Sequence, residues 1–293
     1  MDFGPYLLLA SLEGAVGAAV LALTALGLSL VFGVMRIVNV AHGEFYMLGA
    51  VLAWWVTSMI GGHPALGFVA AMVVAPLIVG LIAAAAERLV LRRLNYDPEA
   101  TIVATIGLLY VLQQLALSTY GADARPVPAP IDFRIQFPWF GYSGYKLCVI
   151  AASALTMLGV WLVLTRTRIG LMMRATQYDP ETARAFAIPV DRVYAGVFAA
   201  GAMLAALGAV LIVPIQQAHY LMGHDPLLLS FIVVIIGGLG SLRGTVLAAV
   251  IIGMSDGIIS VFFSPTLAKI LATLLVAFVL VWRPTGLFGA RAA

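Results

Sequence analysis

Residues 31–50 read VFGVMRIVNVAHGEFYMLGA. Arg36, Asn39, His42 and Glu44 fall within nine residues of one another, with a long apolar run on either side. In lipid such groups are costly unless they face protein or water. The meaning of the stretch therefore depends on the chain around it. Of 293 residues, 63% are hydrophobic and 10% charged, and the mean hydropathy is +1.07. Soluble domains carry roughly 45–50% apolar and about 25% charged residues. That gap excludes a soluble fold and implies a surface that faces lipid.

A membrane helix needs about 20 mostly apolar residues, and such runs lie near 7–32, 44–61, 65–87, 101–119, 146–165, 193–213, 226–242, 245–263 and 266–282. Alternating strand patterns are absent, so an all-α polytopic bundle is expected, a single transmembrane domain over 1–293 with eight or nine spanning helices. The seventh run is short and ends in GGLGSLRG, which predicts a broken or partial span. Residues 1–6 lack the basic start of a cleaved signal. Cys148 has no cysteine partner, and the net charge of +3 implies no nucleic-acid partner.

Lysine and arginine in the loops set orientation. With the N-terminus outside, twelve of the 16 basic residues fall on the inner side, leaving Arg125, Arg134, Lys146 and Lys269 outside. The twelve include Arg283 and Arg291. The expected arrangement is a periplasmic N-terminus and a cytoplasmic C-terminus. The outer loop 120–145 carries Pro126, Pro128 and Pro130 at alternate positions, which favours an extended course. The inner loop 166–192 reads as structured. Asp179 suits an N-cap, Pro180 the first helical position and Glu181 the positive end of the dipole. A short helix would run to about Ala187 and stop before Pro189, with Ala183, Phe186 and Ala187 as its apolar contacts.

A faint internal repeat pairs the first two segments with the seventh and eighth. Each pair has an apolar helix, glycines, an inner-side arginine and an apolar return, and Gly-interrupted pairs of this kind point towards a translocation region. Gly237, Gly238 and Gly240 mark the second break. No P-loop, HEXXH or G-x-S-x-G sequence occurs, so neither ATP binding nor hydrolysis has its usual apparatus. No cofactor or metal is expected on this chain.

The polar cluster admits several readings. His42 and Glu44 as metal ligands would point to different sides of a helix. As a proton relay they would act together. Otherwise the cluster anchors a turn at the membrane face, with Asn39 and His42 on freed backbone groups and Arg36 on lipid phosphate, or it shapes a solute path at a helix break. The charged inner loop is either a solvated face or a docking element whose exposed Phe186 enters a groove on a cytoplasmic subunit.

The run MRIVNVAHGEFYMLGA resembles the N-F-A-H-G-[ED] stretch of the branched-chain amino-acid (Liv-type) ABC transporter permeases, of the hydrophobic amino-acid uptake family. ATIGLLYVLQQLAL, GLMMRATQYDPETARAFAIPVDRV, IIGGLGSLRGTVLAAVIIG and RPTGLFG resemble further stretches of that family in order, and the length is similar to its LivH-like member. The resemblance implies a subunit of a bacterial inner-membrane importer for branched-chain or related hydrophobic amino acids. Its partners would be a second, LivM-like permease, two ATPases that use ATP, and a periplasmic binding protein. It also implies that the segment with Arg174, Asp179, Glu181, Arg184, Phe186, Asp191 and Arg192 couples to the ATPase. Relatives carry urea, short amides or aromatic acids, and Val40 stands where the motif usually has phenylalanine. Within this resemblance Asn39 and His42 hold a helix break by backbone hydrogen bonds, Gly43 lets the chain turn closely, and Glu44 begins the returning helix. A proton-coupled secondary transporter built on His42 and Glu44 is the rival class, and a membrane-embedded enzyme a third.

Overall fold

Helix α1 (Phe3–Met35) is apolar around its whole circumference, and such a helix has to be buried among others. In the computed structural model, which describes residues 3–282 and 286–288, every residue of α1 from Ala18 to Val31 is buried. Its 33 residues span about 50 Å at 1.5 Å each. Four long helices follow: α2 (His42–Ile60), α3 (Pro64–Leu89), α4 (Pro98–Tyr120) and α5 (Gly144–Arg166). Two short helices, α6 (Arg168–Tyr178) and α7 (Pro180–Ala185), lead into α8 (Val190–Gln216). The chain closes with α9 (His224–Gly237), α10 (Leu242–Phe262) and α11 (Pro265–Trp282).

Seven helices among the described residues are long and apolar enough to cross a membrane, namely α1 to α5, α8 and α10. Helix α9 and the apolar stretch Pro265–Val279 of α11 are shorter. The chain is an all-α polytopic membrane protein. The broken seventh element expected from GGLGSLRG is α9, which stops at Gly237. Gly238 and Gly240 then take positive φ values of 100° and 78°, a region open mainly to glycine. The Ser241 hydroxyl accepts the Gly244 N–H at 3.2 Å to start α10. Met1, Asp2, Arg283, Arg291 and part of RPTGLFG lie outside the described residues.

Water cannot drive helices together inside lipid, so close packing of small residues does. Helix α10 runs antiparallel to α1, with Gly253 on Ala18, Thr245 Oγ1 donating to Ser29 Oγ at 2.9 Å, and Gly240 beside Gly33. On another side of α1, Gly201 of α8 lies so near that a β-carbon there would sit 2.7 Å from the Gly27 carbonyl oxygen. Helices α4 and α5 cover this centre and turn Val103, Tyr110, Leu155 and Trp161 outward.

The charges separate to two ends. At the Met35 end, Asp191 pairs with Arg92 at 2.6 Å and Arg184 at 3.4 Å, and Arg36 donates to the Gln177 carbonyl at 3.4 Å. At the other, Lys146 pairs with Glu13 at 2.5 Å. Arg125 stacks over Trp54 and Tyr120, at 4.3 and 4.6 Å. The 120–145 loop is not uniformly extended: Arg134–Gln136 (β1) and Gly141–Ser143 (β2) pair antiparallel, tying down a segment that had read as strand-free.

Gly253→Val should force α10 off α1, because a β-carbon there lies 2.6 Å from Ala18 Cβ. Overpacking of this kind costs about 1–3 kcal/mol or more. Gly159→Val, with nothing within 4 Å of its β-carbon, should melt near wild type in the same detergent. Equal melting shifts for the two variants would contradict the packing argument.

Candidate functional site: a helix break inside the bundle

At Arg36 the backbone turns into positive φ, 56°, and α1 ends. The next residues are not helical, yet Ile37, Asn39 and Ala41 are buried. His42 Nε2 lies 2.9 Å from the Thr24 carbonyl oxygen. Thr24 is twelve residues before Arg36 on α1, about 18 Å back along the helix. The segment 36–41 folds back into the bundle, closes a turn in which the His42 N–H donates to the Asn39 carbonyl at 3.4 Å, and lets the imidazole reach Thr24. There α2 begins.

Non-helical backbone is tolerated at membrane depth only where protein encloses it. The enclosure is visible in the Val40 N–H, which donates to Thr105 Oγ1 of α4 at 3.3 Å. Because a carbonyl can only accept, His42 carries its proton on Nε2. Its Nδ1, with Asn39 Oδ1 and Glu44 Oε2, is buried and lacks a hydrogen-bond partner among the described residues. Buried polar atoms in this state are few in a native protein and call for a reason. Here three occur within six residues.

A second interior start faces this one. Helix α8 ends at Gln216, residue Gln217 turns through φ 66°, and a short loop leads to α9 at His224. The first turns of α2 and α9 touch: a β-carbon on Gly43 would lie 2.5 Å from the Gly223 carbonyl oxygen and 2.9 Å from Leu227 Cβ. Glu44 Oε1 is 3.9 Å from His224 Nε2, which lies 2.8 Å from Gln113 Nε2.

The expected residues thus fall into three places. Asn39, His42, Gly43 and Glu44 come together at the inner break. Gly237, Gly238 and Gly240 do not join them. They sit at the Met35 end, where Gly240 lies beside Gly33, nine residues or about 14 Å along α1 from Thr24. The turn assigned to Gly43 is made by Arg36, and Gly43 is a helical residue whose missing side chain admits α9. Asn39 contributes its backbone carbonyl to the His42 N–H at 3.4 Å, while its side-chain oxygen is unpaired. Among the described residues no group of three or more His, Cys, Asp or Glu could hold a metal ion.

The inner loop forms the third place. Asp179 Oδ1 accepts from the N–H groups of Glu181 and Thr182 at 2.9 and 3.2 Å. The Thr182 hydroxyl and these backbone donors hold its carboxyl below the usual carboxylate range. Pro180 opens α7, and the helix ends at Ala185, two residues before the expected stop. Of its three expected apolar contacts only Ala183 is buried; Phe186 is 78% exposed and Ala187 is exposed too. Arg174 reaches the Leu164 carbonyl at the end of α5. Arg184 and Asp191 are engaged with each other, whereas Glu181 and Arg192 stand exposed. Helix α6 was not foreseen, and it adds Tyr178, 90% exposed, to the same surface.

Sequence reading also passed over His224, Asp225 and Asp256, and used Lys269 only in the charge balance. Their signal was available: ionisable residues at or inside apolar segments are functional candidates.

Comparison with known proteins gives this geometry its context. The family described as "Branched-chain amino acid transport system / permease component" matches residues 11–280. The chain belongs to that family. It is 27% identical over 300 residues to the Escherichia coli K12 high-affinity branched-chain amino acid permease protein LivH, covering 97% of this chain and 96% of that protein. It is 25% identical over 280 residues to BraD of Pseudomonas aeruginosa, covering 92% and 91%. A probable LivH from Methanocaldococcus jannaschii is 27% identical, with 95% and 91% covered. No solved structure matches the chain. Membership makes it a permease component of a multi-subunit transport system.

Gly43→Val is expected to separate α2 from α9 and to lower the melting temperature in detergent by an overpacking cost of about 1–3 kcal/mol or more. Glu44→Gln keeps the shape and loses only a dipole contribution of about 0.3–1 kcal/mol. If thermal unfolding ranks the two variants the other way, the contact between the helix starts is not what constrains this site.

Proposed function

We propose that this chain is a membrane permease subunit of an ATP-binding-cassette importer in a bacterial inner membrane, passing branched-chain or related hydrophobic amino acids from a periplasmic binding protein. The observation that carries this reading is the family match across residues 11–280, with relatives named as branched-chain amino acid permeases along nearly their whole length. The geometry is in keeping with it. Two helices start inside the bundle, as in transporters whose discontinuous helices meet near the bilayer midplane, and alternating access would work around that junction.

The Met35 end is the cytoplasmic one in this reading, because the basic residues gather there. Helices α6 and α7 then form the coupling element. The capped α7 holds Phe186 out to solvent next to Tyr178, and the Arg92–Asp191–Arg184 cluster ties α7 to α8, so a push on α7 reaches a spanning helix. Two ATPase subunits would dock here, and ATP would be theirs to bind and hydrolyse. A second, LivM-like permease would complete the membrane core.

At the opposite, periplasmic end the 120–145 loop would meet the binding protein. Arg125 of this loop is occupied with Trp54 and Tyr120. The free elements are Arg134 and Trp139 of the hairpin, the latter 65% exposed.

Reconstituted with its partners, the chain should import L-leucine or a related solute with ATP, and should do so in the presence of a protonophore. Phe186→Asp should keep the permease folded yet release the ATPase during purification and abolish ATP-driven uptake. Uptake that ignores ATP and collapses with the proton gradient, or full coupling with aspartate at position 186, would refute this assignment. Arg134→Glu should weaken the salt dependence of binding-protein-stimulated ATP hydrolysis, since rim charges act mainly on association rate. An unchanged salt profile would place the contact elsewhere.

A further inference from the structure

Above the break, towards the Glu13 end, α1, α8, α9, α10 and α11 enclose a cavity of about 300 Å³. That is at the small end of ligand-site sizes. Tyr46 of α2 and Thr24 of α1, whose carbonyl holds His42, both line it, so the cavity borders the site described above.

Its lining is divided by chemistry. Val20, Leu21, Ile212, Met222 and Leu229 make an aliphatic wall. Asp225, Asp256 and Lys269 supply charge. Lys269 Nζ is 2.6 Å from Asp225 Oδ2, with side chains 41% and 65% exposed. Neither side chain is sealed inside the protein, so another carboxylate can reach the ammonium. Asp256 differs. It is half-buried in the apolar α10 and has no hydrogen-bond or ion-pair partner among the described residues. An ionisable group inside a spanning helix is costly and marks a solute path more often than a structural site.

We infer that this cavity is a binding station for a free α-amino acid with an aliphatic side chain: Asp256 takes the α-ammonium, Lys269 takes the α-carboxylate, and the aliphatic wall takes the side chain. Asp225 holds Lys269 in position when no solute is bound. A neutral solute such as urea or a short amide offers neither charge and leaves both groups unmatched. The inference rests on the proposed transport function and narrows it to zwitterions.

The test uses the whole transporter in ATP-loaded proteoliposomes with its binding protein, following radiolabelled L-leucine and ATP hydrolysis together. Asp256→Asn and Lys269→Gln should each lower leucine moved per ATP about tenfold, the factor expected when one charge-assisted hydrogen bond is lost. A second measurement needs no transport. Saturation-transfer NMR on the transporter in nanodiscs should show L-leucine bound more strongly than leucinamide or 4-methylpentanoate, each of which lacks one of the two charges. The double variant Asp225→Asn with Lys269→Gln separates a solute site from a mere charge network, because Asp225 is the partner Lys269 has in the structure. Neutralising both partners would repair a network, whereas a solute site stays lost. Rescue of leucine transport by the double variant, or single variants with wild-type coupling, overturns the zwitterion station while the importer reading stands. A wild-type transporter that moves no amino acid at all overturns both.

Discussion

Close approach of α1 to its neighbours is the constraint on which the other features depend. In lipid the faces of two apolar helices gain little by leaving the solvent, so contact has to come from fit and from hydrogen bonds. Helix α1 meets α10 through Ala18 and Ser29, meets the turn before α10 through Gly33 against Gly240, and meets α8 at Gly27. These contacts fall on different sides of one helix, which is why α1 is buried all round and why its composition is rich in small residues. A chain built this way has a dense centre and a loosely covered rim.

That density makes the break at Arg36 possible. A segment such as 36–41 leaves backbone groups without helical partners, and lipid cannot satisfy them. Enclosure by α1, α4 and α8 does so, through Thr105 for the Val40 N–H and through burial of Ile37, Asn39 and Ala41. The contact of Gly43 with Gly223 then sets the starts of α2 and α9 against each other. Small residues in α1 and glycines at the helix starts are parts of one arrangement, since a bulky residue at either place would open the enclosure and expose the 36–41 segment to lipid.

Much of this was legible in the sequence. Nine apolar runs matched α1 to α5 and α8 to α11 to within a few residues, because a membrane helix announces itself by length and continuity. The Asp179–Pro180–Glu181 cap was legible for the same local reason. The depth of the break was not: nothing in VMRIVNVAHGE states that the chain climbs back beside α1, since that follows from the His42 contact with Thr24, a relation across the fold. The role of Gly43 was misassigned on the same ground, for a turn glycine and a contact glycine look alike in sequence. Helix α6 was missed because RIGLMMRATQY mixes charged and apolar residues in a segment taken as a loop. The β1–β2 pair was missed because three-residue strands leave no period to read.

Charge placement shows what physics permits and what it leaves to function. The Asp191 cluster and the Lys146–Glu13 pair sit at the two ends, where water screens them and where they cost little. Glu44 and Asp256 do not. Both lie within spanning helices, Glu44 with one carboxylate oxygen unpaired and Asp256 without a partner among the described residues. Stability alone would favour an apolar residue at either position, because desolvation of a carboxylate exceeds what an unpaired group recovers. The two acids stand beside the only helices that begin inside the bundle among those described, α2 and α9. A fold that only had to persist would seal this region with the aliphatic residues it uses everywhere else. Keeping carboxylates there makes sense for a chain that must receive something polar at that depth and let it go again.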